Sequence, residues 1–78
     1  MLYIGYRRVD IEKDNVHGYS FYYSEPIEPK DGEGFSTGKD YVSDNFPDLQ
    51  SRLKVAVSAK EVVRVERNKY GKVIGIIE

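Results

Sequence analysis

Glu61-Val62-Val63-Arg64-Val65-Glu66-Arg67-Asn68-Lys69-Tyr70-Gly71-Lys72-Val73-Ile74-Gly75-Ile76-Ile77 is the stretch whose reading decides the fold. Two runs rich in β-branched residues flank a polar turn, which is the pattern of a β-hairpin. Asn68-Lys69-Tyr70-Gly71 suits a type I turn whose last residue takes a positive φ in a G1-type bulge, since glycine enters that region without steric cost.

Working outward, residues 2–9 place Leu2, Ile4 and Tyr6 on one parity and Tyr3, Gly5, Arg7 and Val9 on the other. This predicts a first strand partly covered on both faces. The polar residues 10–15 read as a turn, and the aromatic residues 16–24 read as a second strand paired with the first. On that strand Tyr19, Phe21 and Tyr23 share one face, the expected core face, while Ser20 and Tyr22 share the other. Residues 25–34 carry Pro26, Pro29, Gly32 and Gly34, so the strand is expected to end there in a long surface loop.

Residues 35–43 fit a short strand ending in Tyr41-Val42. Residues 45–53 then offer Pro47 as a first helical residue, Asp48 near the positive end of the dipole and Arg52 near the negative end. One or two helical turns are expected, with Leu49 and Leu53 facing the sheet. Val55-Ala56-Val57-Ser58-Ala59 fits a strand or a connection, and its apolar run does not choose between them.

Seventy-eight residues with no cysteine make one small domain, 1–78, without a disulfide framework or a thiolate metal site. The expected fold is mainly β: a small five-stranded barrel or curved antiparallel sheet, OB-like or SH3-like, with one short helix. The absence of a signal-peptide run or of a span-length apolar stretch gives cytoplasmic residence, with no membrane partner, as the expectation.

The formal net charge of -1 hides a separation along the chain. Residues 25–48 hold seven acidic side chains, and residues 52–72 hold seven basic ones. A field of one sign over the C-terminal hairpin would steer an anionic partner.

Asp10, Glu12 and Asp14 have the spacing of the first ligands of a calcium loop, but Asn15 stands where the loop needs glycine and Phe21 where it needs glutamate. His17 is the single histidine, and the glycines near residues 32–38 lack the spacing of a phosphate loop. No constellation of nucleophile, base and oxyanion donor can be named, so the reading is non-catalytic, with no metal and no cofactor.

Aromatic and basic residues do interleave on the expected strands. Arg7, Arg8, Tyr22, Arg64, Arg67, Lys69, Tyr70 and Lys72 are the candidate nucleic-acid contacts. Unpaired bases stack on aromatic faces while Lys and Arg follow the phosphates, the chemistry of a single-strand binder. Tyr3, Tyr19 and Tyr23 also suit packing in the core. A different class of function, a protein-interaction or regulatory module acting as a homodimer or as an inhibitor of a host protein, fits a chain that gains core by association.

Gly5-Tyr6-Arg7-Arg8-Val9, the aromatic second strand and Arg67-Asn68-Lys69-Tyr70-Gly71-Lys72-Val73 together resemble small β-barrel proteins of Gram-positive phages and mobile elements. In plan the chain is also similar to the single-stranded DNA-binding proteins of filamentous phages. That resemblance implies a small OB-like barrel that dimerises on single-stranded DNA, and it transfers no site residue.

Overall fold

A computed structural model describes residues 1–77. Five strands and one helix follow in the order β1 (Leu2–Ile11), β2 (Val16–Pro26), β3 (Phe35–Ser43), α1 (Pro47–Ala59), β4 (Arg64–Arg67) and β5 (Val73–Ile77). The strands form two antiparallel sheets, β1-β2-β3 and β4-β5, and no closed barrel is present among the described residues. The reason lies in the order of elements. The helix intervenes between β3 and β4 and packs on one face of the larger sheet, so the hairpin is laid beside it on that face. β1 meets the segment entering β4 through the Leu2–Val62 bridge, and Met1 just before it exchanges backbone bonds with Val63.

The hairpin turn takes the expected form. Gly71 lies at φ 82, its N–H donates to the Asn68 carbonyl at 3.0 Å, and the Asn68 side chain accepts from the Tyr70 and Lys72 N–H groups. The β1–β2 connection is a single 3₁₀ turn over Glu12–Asp14, closed by Asn15 in the left-handed region. β2 extends two residues past its expected end. Pro26 is tolerated because it is the last residue of the strand, where it pairs with Phe35, and Ile27 N–H then closes the loop on the Gly34 carbonyl.

The helix is longer than one or two turns and includes residues 55–59. Leu49, Leu53 and Ala56 are buried at helical spacing, while Val55 is 63% exposed, so the β-branched residues of that run lie on different sides of a helix. Arg52 consequently sits in mid-helix rather than at the end. Lys60 ends the helix in the left-handed conformation, its N–H returning to the Ala56 and Val57 carbonyls.

A bulge at Ile4 is the main departure from simple alternation. Tyr3 pairs with Tyr23 and Gly5 with Tyr22, leaving Ile4 unpaired. Tyr3 and Tyr6 therefore share the covered face despite their opposite parity. That face buries Tyr3, Phe21, Val42, Leu49, Leu53 and Val73 in one cluster, with Tyr19 and Tyr23 packed against it as the odd-numbered reading of β2 requires.

Two glycines let tyrosine rings lie down on the sheet. A Cβ at Gly18 would stand 2.8 Å from the Tyr41 ring and 2.4 Å from the Val42 carbonyl, and one at Gly38 would stand 2.5 Å from the Tyr23 hydroxyl. Neither separation is sterically possible. At Gly71 a Cβ meets nothing within 4 Å, and the cost of adding one is the positive φ alone. Gly71→Ala is expected to lower stability by about 1 kcal/mol and Gly18→Ala by about 2–3 kcal/mol, the second through overpacking. Urea denaturation would measure both, and the reverse order would refute this account of Tyr41.

Candidate nucleic-acid interface

Directly paired residues of an antiparallel ladder share a face, so the register assigns every strand residue of the larger sheet. On the face opposite the helix, Arg7, Ser20 and Tyr41 form one cross-strand row, and Gly5, Tyr22 and Lys39 form the next. The rows before and after hold Val9, Gly18 and Ser43, and Leu2, Ser24 and Thr37. No carboxylate lies on this face of the three strands among the described residues. Tyr22 and Tyr41 are diagonal neighbours on adjacent strands, close enough for one ligand to touch both.

Low residues form the floor of this face. Ser20 is buried between Arg7 and Tyr41, and the absence of a Cβ at Gly18 leaves room for the Tyr41 ring to lie over that position. A depression of about 310 Å³ lies at the Tyr22 end of the sheet, lined by Ile4, Tyr22, Tyr23, Thr37, Gly38 and Lys39, and it draws on residues of both faces. Arg7 and Lys39 have no ion-pair partner among the described residues. They are cations free to meet a ligand.

Of the eight sequence-level candidates, the structure brings Arg7 and Tyr22 together on this open face. Arg8 is turned to the covered face by its place in the ladder. Its guanidinium binds Asp44 through two bonds of 2.7 Å and Asp10 through bonds of 3.0 and 2.9 Å, and it lies 5.1 Å from the Tyr19 ring centroid. With its donors engaged, it holds the β1–β2 hairpin to the start of α1. Gln50 completes that tie, donating to the Asp44 carboxylate and to the Val42 carbonyl.

Arg67 is likewise committed. It forks onto Asp40 at 2.8 and 3.1 Å and donates to the Gly71 carbonyl, while the Tyr3 hydroxyl donates to Asp40 Oδ2 at 2.9 Å, the oxygen it shares with one arm of the fork. Burial pushes the Tyr3 hydroxyl above its usual range and the bond to Asp40 adds to this, so Tyr3 stays protonated and remains a donor. Arg64 sits on β4 opposite Ile77. Lys69, Tyr70 and Lys72 stand on the β4–β5 turn, exposed, with the Lys69 amine 5.1 Å from the Tyr70 ring centroid.

Sequence reasoning missed Lys39 and Tyr41. The signal was present as alternation in β3, where Lys39 and Tyr41 share parity, but only the pairing with β2 aligns them with Tyr22 and Ser20. The basic run 52–72 is also less of a surface than its charge suggests: Lys54 lies 3.9 Å from the Tyr19 ring centroid, and Arg67 is bound to Asp40.

No described helix is long and apolar enough to cross a membrane. The fold and this face define a small two-sheet β protein with one helix and an uncovered aromatic and basic sheet surface. Comparison with protein-family models, with curated proteins and with solved structures returned no match.

The network around Arg8 has a consequence for pH. The hydrogen bond from Arg8 holds Asp44 down to about 2, and Asp10 is likewise lowered by Arg8 and then by His17. Both contributions are present above pH 3.8 and are lost as pH falls through the folded values. His17 donates Nδ1–H to Asp10 at 2.8 Å, and that bond raises it above its ordinary 6.5. Its contribution is complete below pH 6.5 and is lost as pH rises through the raised value. Thermal melts across pH are expected to show highest stability between about 4 and 6.5, and His17→Gln should remove the alkaline-side decline. An unchanged decline in His17→Gln would assign it to another group.

Proposed function

We propose that the protein binds single-stranded nucleic acid, without catalysis, on the open face of β1-β2-β3. The observation that carries this reading is the composition of that face: two tyrosines on neighbouring rows and, among the described residues, two unpaired cations and no carboxylate. Tyr22 and Tyr41 stack bases, each worth about 1–3 kcal/mol, and Arg7 and Lys39 neutralise phosphates on either side. A single strand is favoured over a duplex because stacking on a sheet needs bases that are free of their partners. The resemblance to phage and mobile-element proteins fits a cytoplasmic role on transiently exposed strands, and the open face serves here as the groove of an OB-like barrel would.

Titration of a labelled oligothymidylate at several salt concentrations tests this. Tyr22→Ala is expected to weaken binding by about tenfold, the loss of one stack. Arg7→Ala combined with Lys39→Ala should flatten the logarithmic salt dependence by about 1.4, since each single-strand phosphate contact contributes about 0.7. Absence of binding by the unaltered protein at low salt, or unchanged affinity in these variants, would overturn the proposal.

A second reading, a protein-interaction module, draws on the opposite side of the molecule. A groove of about 390 Å³ between α1 and the hairpin is lined in part by Val55, Ala56, Val63 and Ile76, with Val62 nearby 74% exposed. Apolar surface of this kind favours self-association. Sedimentation over a range of concentrations would show a dimer that Val55→Glu dissociates, and a monomer at every concentration would count against a homodimer.

A further inference from the structure

We infer that the nucleic-acid site continues past the edge of β3 onto the β4–β5 turn, so that Phe46, Lys72, Lys69 and Tyr70 form a second subsite for the same strand. This rests on the open-face reading and extends it. β3 is the outer strand of its sheet, and its row residues Lys39 and Tyr41 therefore border open space on one side. Next to Tyr41 lies a depression of about 200 Å³ to which Phe46, Asn68 and Lys72 contribute together with the apolar Val42, Val73 and Ile74. Tyr41 thus belongs to both surfaces, and a ligand leaving its ring toward the edge meets Phe46 and Lys72 next.

The composition of the second surface repeats that of the first. Phe46 is 55% exposed and Tyr70 is 77% exposed, so both rings present most of their surface to a ligand. Lys69 and Lys72 have no ion-pair partner among the described residues, and Asp40, bound by the same Arg67 that holds the Gly71 carbonyl, is neutralised by it. Aromatic platforms alternating with free cations suit a polyanion whose repeating unit carries a flat ring.

The turn is also held in position before any ligand arrives. Asn68 Oδ1 accepts two backbone N–H bonds, Arg67 grips the Gly71 carbonyl, and the same guanidinium forks onto Asp40 of β3. The β3 edge and the turn are therefore tied together by one guanidinium, which lowers the ordering cost of binding across them. A bivalent site of this kind gains affinity with ligand length, because the second contact becomes intramolecular once the first has formed.

The test compares oligothymidylates of about 4 and about 16 nucleotides, the range of site sizes found for small β folds. Tyr70→Ala combined with Lys72→Ala is expected to weaken the long oligomer by about tenfold and the short one by less than about twofold. Tyr22→Ala should weaken both. Both altered turn residues are exposed, and an unchanged thermal melt would confirm that the variant is folded.

Equal affinity of the turn variant and the unaltered protein for the long oligomer, with binding otherwise measurable, would overturn the second subsite and leave the open face standing. Equal loss on both lengths would do the same, since it would make the turn part of a single compact site. Competition by polyglutamate as effective as that by the oligomer would show that the turn recognises acidic chains regardless of bases, and would also overturn it. Failure of the unaltered protein to bind either length removes the open-face reading and this inference together.

Discussion

The Asp40 carboxylate is the constraint on which the arrangement of the two sheets depends. It is 9% exposed and receives the Tyr3 hydroxyl from β1 and both terminal nitrogens of Arg67 from β4. A charge in that position is tolerated only when paired and hydrogen-bonded, so the hairpin must dock where Arg67 can reach. Such a pair adds little net stability over apolar residues of the same volume, yet losing either partner strands the other. Its contribution is to position: it fixes the hairpin against β3 with a geometry that apolar packing of Val73 and Val65 alone would leave free.

The bulge at Ile4 has a comparable effect on the open face. Without it, pairing that matched Tyr3 to Tyr23 would carry Arg7 to the covered face and Arg8 to the open one, because one residue of slip exchanges the faces. With it, Arg8 reaches Asp10 and Asp44, and Arg7 is left beside Ser20 and Tyr41. Two adjacent arginines thus have opposite fates. One becomes a surface fastener between elements of the fold and the other an unpaired surface cation.

A chain of net charge -1 can present a cationic face because its carboxylates are used unevenly. Asp10, Asp40 and Asp44 are drawn to the covered side by arginines, and the acidic residues of the 25–34 segment lie on β2's end and the loop beyond it. The open face keeps Arg7 and Lys39. In a field of this kind the local arrangement, not the net charge, decides which partner is attracted.

The sequence by itself determined the strands, the hairpin turn at Asn68–Gly71, the core face of β2 and the start of the helix at Pro47, because each rests on local chemistry. A positive φ needs glycine, a first helical turn accepts proline, and alternation marks a half-buried strand. Residues 55–59 were ambiguous for the same local reason, since β-branched residues fit either state and the packing of Ala56 beneath the helix decided the matter. Tertiary structure alone decided that the strands divide into two sheets, that Arg8 and Arg67 are spent on carboxylates 36 and 27 residues away in sequence, and that Lys39 and Tyr41 join Tyr22. Each depends on register or on partners distant along the chain, and a one-residue bulge, invisible to local periodicity, exchanges the faces on which a site can be built.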